Sequence, residues 1–190
     1  MLDNLLNTGV FDQFPVLKTN RLHLRELNNA YTPSFYTLRS DKKVLKFMDT
    51  GPLENMMEAE KMIQENVAMY QRKEGLSWAI TDKEHERFMG YCTFWKLDTK
   101  NARSELGFAM LPEKWGQGYM EEALKAVIEF AFRQWQLHSI EANINPLNER
   151  SRQLLIKQGF RKEGYFKENF WYNGQFLDSA IYSLLEKWRT

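Results

Sequence analysis

The residues best suited to do chemistry cluster in Leu111-Pro112-Glu113-Lys114-Trp115-Gly116-Gln117-Gly118-Tyr119-Met120-Glu121-Glu122-Ala123. An apolar, strand-like run ends at Pro112, two glycines follow, and an amphipathic helix begins. Lacking a Cβ, glycine lets successive backbone N–H groups point outward together and lets a ligand approach them. The helix N-terminus behind them adds about half a positive charge. Such a junction cradles a phosphate or pyrophosphate. The same glycines also suit a plain tight turn, so the loop alone leaves both readings open. Spacing removes two alternatives. No Gly-x-x-x-x-Gly-Lys-Ser/Thr run is present, and the third position of a Gly-x-Gly-x-x-Gly fingerprint falls on Glu121.

These groups need elements to hold them. Arg21 to Glu26 alternates polar and apolar residues as a half-buried strand does. Asn28 and Asn29 can cap a short helix running to about Arg39. Apolar residues at 56, 59, 63, 67 and 70 follow the helical period between Met56 and Tyr70. Ser77–Asp82 and Phe88–Trp95 flank a charged turn as a hairpin, and Ser104–Met110 leads into the glycine loop. The helix from Gly118 to Trp135 puts Met120, Leu124, Val127, Ala131 and Trp135 on one face. Glu121 with Lys125, and Glu129 with Arg133, are spaced as ion pairs on the other. Ser139–Ile144 is a further strand. Asn148 and Gly159 bracket a helix as N-cap and C′ residue. Phe160–Lys167 and Asp178–Leu185 close the chain as strands, with Asn173-Gly174 marking a turn between them. The order predicts an α/β fold with a mostly antiparallel sheet. The strand–helix–strand unit from Ser104 to Ile144 should be its parallel exception.

At 190 residues the chain suits one domain, 1–190, with a sizeable core. With 26 basic against 25 acidic side chains, net charge +1, nothing favours nucleic acid or an anionic membrane as partner. Cys92 is the single cysteine, so an internal disulfide is impossible and a reducing, cytoplasmic setting is expected. No apolar run reaches the ~18 residues of a membrane helix, and the stretch from Met1 to Asn7 lacks a basic leader. No metal-ligand spacing is visible.

A second segment strengthens the first. Asn148-Glu149-Arg150-Ser151-Arg152-Gln153-Leu154-Leu155-Ile156-Lys157-Gln158-Gly159-Phe160 follows Asn-x-x-Ala/Ser-x-x-Leu/Phe-x-x-x-x-Gly-Phe. With the glycine loop it resembles the GNAT superfamily (the GCN5-related N-acetyltransferases), most closely the branch of the ribosomal-protein N-terminal acetyltransferases (RimJ/RimL-like). The loop departs from the family's Gln/Arg-x-x-Gly-x-Gly/Ala at both ends, reading Trp115 and Met120, so a bulky Met120 stands at a phosphate-facing position.

The resemblance implies the GNAT fold, with central strands that splay, and acetyl-CoA as co-substrate. The coenzyme A thioester would lie on Phe108, Ala109 and Met110, on the loop residues Trp115, Gly116, Gln117, Gly118, Tyr119 and Met120, and beside Asn148. Lys114, Arg150, Arg152 or Lys157 would reach other phosphates. Where many relatives place a tyrosine that protonates the departing thiolate, this chain has Leu155, and the resemblance moves that role to Ser151. Glu105 is the implied general base, with Glu141 as competitor and His138 weakly placed at a strand start. The expected acceptor is a primary amine, in this branch a protein N-terminal α-amine. Its walls are expected from the Met56–Tyr70 helix, Phe94-Trp95 and Phe170-Trp171-Tyr172. A small amine such as a polyamine, aminoglycoside or amino acid, or a non-catalytic acyl-CoA-binding role, are the alternatives, and monomer and homodimer both remain open.

Overall fold

The computed structural model describes residues 5–189. Residues 1–4, part of the stretch inspected for a leader, lie outside it, as does residue 190. The strands are β1 (Leu17–Lys18), β2 (Leu22–Glu26), β3 (Leu76–Asp82), β4 (Phe88–Asp98), β5 (Arg103–Met110), β6 (Ser139–Ile144), β7 (Arg161–Tyr172) and β8 (Gln175–Leu185). The α-helices are α1 (Thr32–Ser40), α2 (Lys42–Leu45), α3 (Met56–Gln71), α4 (Tyr119–Arg133) and α5 (Glu149–Lys157). The strands form one sheet in the order β1-β2-β3-β4-β5-β6-β8-β7. Every neighbouring pair is antiparallel except β5 with β6, which α4 connects.

Local chemistry explains most boundaries. Asn55 begins α3 by accepting the Glu58 N–H, and Asp41 begins α2 by accepting those of Lys43 and Val44. Asn28 caps a short 3-10 turn, Asn29–Tyr31, rather than α1 itself, which starts at Thr32 with Pro33 in its first turn. Such placement is natural because proline there gives up an N–H that would be unpaired anyway. β7 and β8 run on to the Asn173-Gly174 turn, well past the expected Lys167 and Asp178. Their outer end is largely exposed, with Trp171 edge-on to Phe176. It therefore lacks the in–out alternation that marks a strand in sequence.

Two cores sandwich the sheet. α4 covers one face through Leu124, Val127 and Phe130, which meet Trp78, Phe94 and Trp135. Trp78 is fully buried and takes Phe14, Phe94 and Phe130 edge-on. A side chain such as Leu124, removed from water, stabilises by about 1.5–3 kcal/mol. The opposite face, through Ala79 and Ala109, takes Phe35 and Leu38 of α1 with Ala59 and Ile63 of α3. Small strand residues there let the helices sit close.

The central join is narrow. β5 and β6 pair only where Arg103 meets Ser139, Ser104 meets Ile140 and Glu105 meets Glu141. Beyond that point Leu106–Met110 stays with β4, and Ala142–Ile144 stays with β8. The two strands therefore part as expected. Alternate residues along each direct N–H and C=O groups into the gap.

Candidate active site

Two clefts meet at this gap. One, about 920 Å³, is lined by Phe108, Ala109 and Met110 of β5, the glycine loop, and Asn148, Arg150, Gln153, Leu154 and Lys157. The other, about 1060 Å³, runs over the opposite end of β5, from Glu105 to Phe108, toward α1, α3 and β7. Phe47, Met48, Phe108 and Asn148 line both.

In the first cleft Gly116 and Gly118 have φ of +73° and +78°, the left-handed region that L side chains avoid. A Cβ at Gly116 would point into open space, and one at Gly118 would meet Arg21 Nη2 at 3.4 Å. The loop is thus an exposed cradle whose shape needs both glycines. It is also braced. Arg21 donates to the Gln117 carbonyl (3.0 Å) and pairs with Glu122 (2.6 Å), and its guanidinium stacks on Tyr119. The Thr19 hydroxyl and Arg21 N–H also donate to Glu122. Burial raises the Glu122 carboxyl, but these hydrogen bonds and the Arg21 charge outweigh it and hold the group below its ordinary 4.5.

Two carboxylates in the first turn of α4 would oppose an anion there, yet each is neutralised. Glu122 holds Arg21, and Glu121 holds Lys157 of α5 at 3.0 Å in place of the expected Lys125. The Glu129–Arg133 pair forms as expected. Lys43 of α2 and Lys46 just after it, with Lys114 and Arg150, bring further cations to the cleft. Arg152 does not join them: it is absent from the lining, and its Nε and Nη2 donate to Glu149. An open glycine cradle, a helix N-terminus and a ring of cations fit the diphosphate and phosphate of a coenzyme A thioester.

Several residues named from the sequence occupy different posts. Gln117 braces the loop, donating to the Glu113 carbonyl, and does not line the cleft. Met120 borders the cleft, but its side chain is 7% exposed and its thioether packs on Cys92 in the core. Trp115 donates its indole N–H to the Met110 carbonyl (2.7 Å) and carries Arg150 over its ring. Asn148 caps α5 by accepting the Ser151 N–H. Ser151 is half-buried and lines neither cleft, while Leu155, one turn on, is fully buried in the core.

At the vertex, Glu105 is 8% exposed and accepts from Lys96 Nζ at 2.7 Å. Lys96 adopts φ +49° at an irregularity of β4, which turns it back toward the strand's neighbour. Glu141, its partner across the gap, pairs with Arg103. His138 is exposed before β6 and lines neither cleft. The second cleft takes Met62, Asn66 and Met69 from α3, together with Trp95 and Phe170, from the walls expected for the acceptor. Phe94 instead lies fully buried under α4. Trp171 and Tyr172 are not in the lining. Sequence reasoning missed the wall from Phe35 and Arg39 to Phe47–Thr50. The one signal there was Asp41 as an N-cap.

Among the described residues no group of histidine, cysteine, aspartate and glutamate could hold a metal ion. No described helix is long and apolar enough to cross a membrane.

Comparison with known proteins agrees with this geometry. Residues 21–161 match the family model for the acetyltransferase (GNAT) domain. The chain is 32% identical to the uncharacterised N-acetyltransferase YoaA of Bacillus subtilis (strain 168), over 91% of this chain and 98% of that one. A shorter match, 42% identical over 42% of this chain and 41% of the relative, is to the ribosomal protein uS5-alanine N-acetyltransferase of Escherichia coli (strain K12). Among solved structures, the ribosomal L7/L12 alpha-N-protein acetyltransferase RimL in complex with coenzyme A superposes with TM-score 0.82 at 20% identity, covering 90% of this chain and 98% of that one. Spermidine N-acetyltransferase from Vibrio cholerae, in complex with CoA and spermine, gives 0.79 at 19%, covering 89% and 98%. With its glycine cradle, parted strands and matching domain, the chain belongs to the GNAT family of acetyltransferases, which use acetyl-CoA as acyl donor.

Proposed function

We propose that this N-acetyltransferase acts on the α-amine of a polypeptide N-terminus. The observation that carries the reading is the state of the two vertex carboxylates. Glu105 holds Lys96 through one oxygen and Glu141 holds Arg103, so neither carboxylate is a free base and Glu105 has one oxygen left to meet the amine. An α-amine titrates near 7.7–8.0, leaving roughly a tenth or more neutral at pH 7, whereas lysine amines near 10.4 leave ~10²-fold less. A site with modest means of deprotonation therefore suits the α-amine. The match to an alanine N-acetyltransferase supports the same class, and the spermidine enzyme's likeness keeps a polyamine as the second reading.

In this scheme the neutral amine attacks the thioester carbon, and backbone N–H groups of Phe108–Met110 steady the oxyanion. Glu105, through its second oxygen, receives the amine's proton. The departing thiolate takes its proton from water reaching the open cleft, and Ser151, half-buried outside both linings, is the protein's candidate for the same role. We also read residues 1–190 as one catalytic domain working in the reducing cytoplasm.

Incubating the protein with acetyl-CoA and a peptide that has a free N-terminus and an internal lysine tests the reading. Mass-spectrometric fragment mapping should find acetyl at the α-amine and none at lysine. Modification at lysine, or turnover with polyamines only, would overturn the N-terminal reading and keep the acetyltransferase.

A further inference from the structure

Arg39 is the one lysine or arginine buried among the described residues, at 7% exposure, and it has no carboxylate partner. Its Nη1 reaches only the Met48 thioether (3.3 Å) and the Tyr91 hydroxyl (3.5 Å), a weak acceptor and a limiting distance. Its Nε is buried without any partner. Arg25 offers the contrast, since its buried Nε is accompanied by an ion pair to Glu86. A guanidinium taken out of water without a counter-charge is costly. Arg39 lies in the last turn of α1, whose C-terminal dipole supplies only about half a compensating charge.

The place of this charge narrows its purpose. Arg39 lines the acceptor cleft and not the coenzyme cleft, so the phosphates do not explain it. Tyr91, which it touches, is the register partner of Ala109, next to Phe108 where the two clefts meet. The same cleft carries Asp49 and Glu65, while Glu74 and Glu105 are already paired with Arg72 and Lys96. A cleft with unpaired acid and an unpaired buried arginine matches a zwitterion, ammonium at one end and carboxylate at the other. An all-cationic polyamine would leave Arg39 without a partner.

We propose that Arg39 binds a carboxylate carried by the acceptor. In a peptide this is an acidic side chain at the second or third residue, within reach because an extended chain advances about 3.3–3.6 Å per residue. The planar guanidinium can hold a carboxylate by two parallel hydrogen bonds. The peptide form rests on the N-terminal reading above; the carboxylate itself does not, since a free amino acid presents one too.

The test measures acetyl transfer from acetyl-CoA to matched peptides with Glu or Gln at the second or third residue, and to alanine against alanine amide. For the wild type, kcat/KM should fall about 10-fold or more on amidation of the carboxylate, mostly through KM, as for loss of a charged hydrogen-bonded pair. In Arg39→Gln the distinction should shrink below about two-fold while acetyl-CoA affinity holds, and Arg39→Lys should restore part of it. Carboxylate preference seen only with free amino acids keeps Arg39's role and removes the N-terminal reading. Should Arg39→Gln not fold, the wild-type comparison and Arg39→Lys decide. Equal rates for acid and amide in the wild type, or a preference that survives in Arg39→Gln, would overturn the proposal. So would the lack of both turnover and carboxylate-dependent peptide binding to the CoA-saturated protein.

Discussion

The clefts proposed for the coenzyme and for the acceptor share Phe47, Met48, Phe108 and Asn148 yet are built mostly by opposite means. The first depends on backbone: left-handed glycines, a helix N-terminus, and a brace in which Arg21, Glu122 and the Gln117 carbonyl fix one short loop. The second depends on side chains brought from α1, α3, β4 and β7, with charges placed singly, Arg39 and Asp49 among them. A backbone cradle recognises a group that never changes, whereas a side-chain wall can be altered without touching the cradle. The near-constant chemistry of one cleft and the adjustable chemistry of the other are what let one fold serve different amines.

Four experiments press on that division. The largest effect is expected where β5 and β6 part. Glu105→Gln should lower kcat by ~10²–10⁴-fold, the usual worth of general acid–base help, and change the pH–rate profile. An unchanged profile with lower stability would make the carboxylate structural. Next comes Gly118→Val. A β-branched residue at φ +78° cannot keep the loop's shape, so calorimetric titration should show acetyl-CoA affinity down by ~10²-fold while the far-UV spectrum is kept. Unaltered affinity would break the idea that the cradle is made of backbone.

Smaller effects follow from the brace and from α5. Glu122→Gln should cost about 1 kcal/mol at neutral pH, partly screened because Arg21 is half exposed. A carboxyl depressed in the fold stabilises above its unfolded value, and that stability is lost as pH falls through the folded one. The gap in denaturant midpoint between wild type and variant should therefore be full at pH 7 and close below pH 4.5. Smallest is Ser151→Ala. With the hydroxyl outside the cleft lining, kcat should drop only a few-fold; a loss of about 10-fold or more at constant acetyl-CoA affinity would assign it to thiolate departure.

The same contrast governs what could be read from the residues alone. Gly116, Gly118, Asn148 and Gly159 announce themselves because a backbone shape admits few residue types. The α4 face and the parallel unit around it follow from periodicity and chain order. The acceptor wall has no such grammar. Arg39 looks like the last residue of a helix, and nothing in Phe47–Thr50 suggests a cleft. Lys96 turns onto Glu105 only through a positive φ in the middle of a strand. The motif directs Met120 toward the phosphates, yet on α4 it is one turn before Leu124, on the buried face. Side-chain partners across distant segments are tertiary facts, and local sequence does not encode them one at a time.

The brief contact of β5 with β6 also bears on how the chain opens. β1 to β5 neighbour one another in sequence order, and β6, β8 and β7 form a second block, joined to the first by only three strand register positions, the helix between them and the core they share beneath it. Blocks with mostly local partners unfold as separate cooperative units. Native-state hydrogen exchange should resolve two protection classes, with β3 and β4 slowest and the β7–β8 hairpin released earlier. The gap where β5 and β6 part would then double as the seam between two folding units.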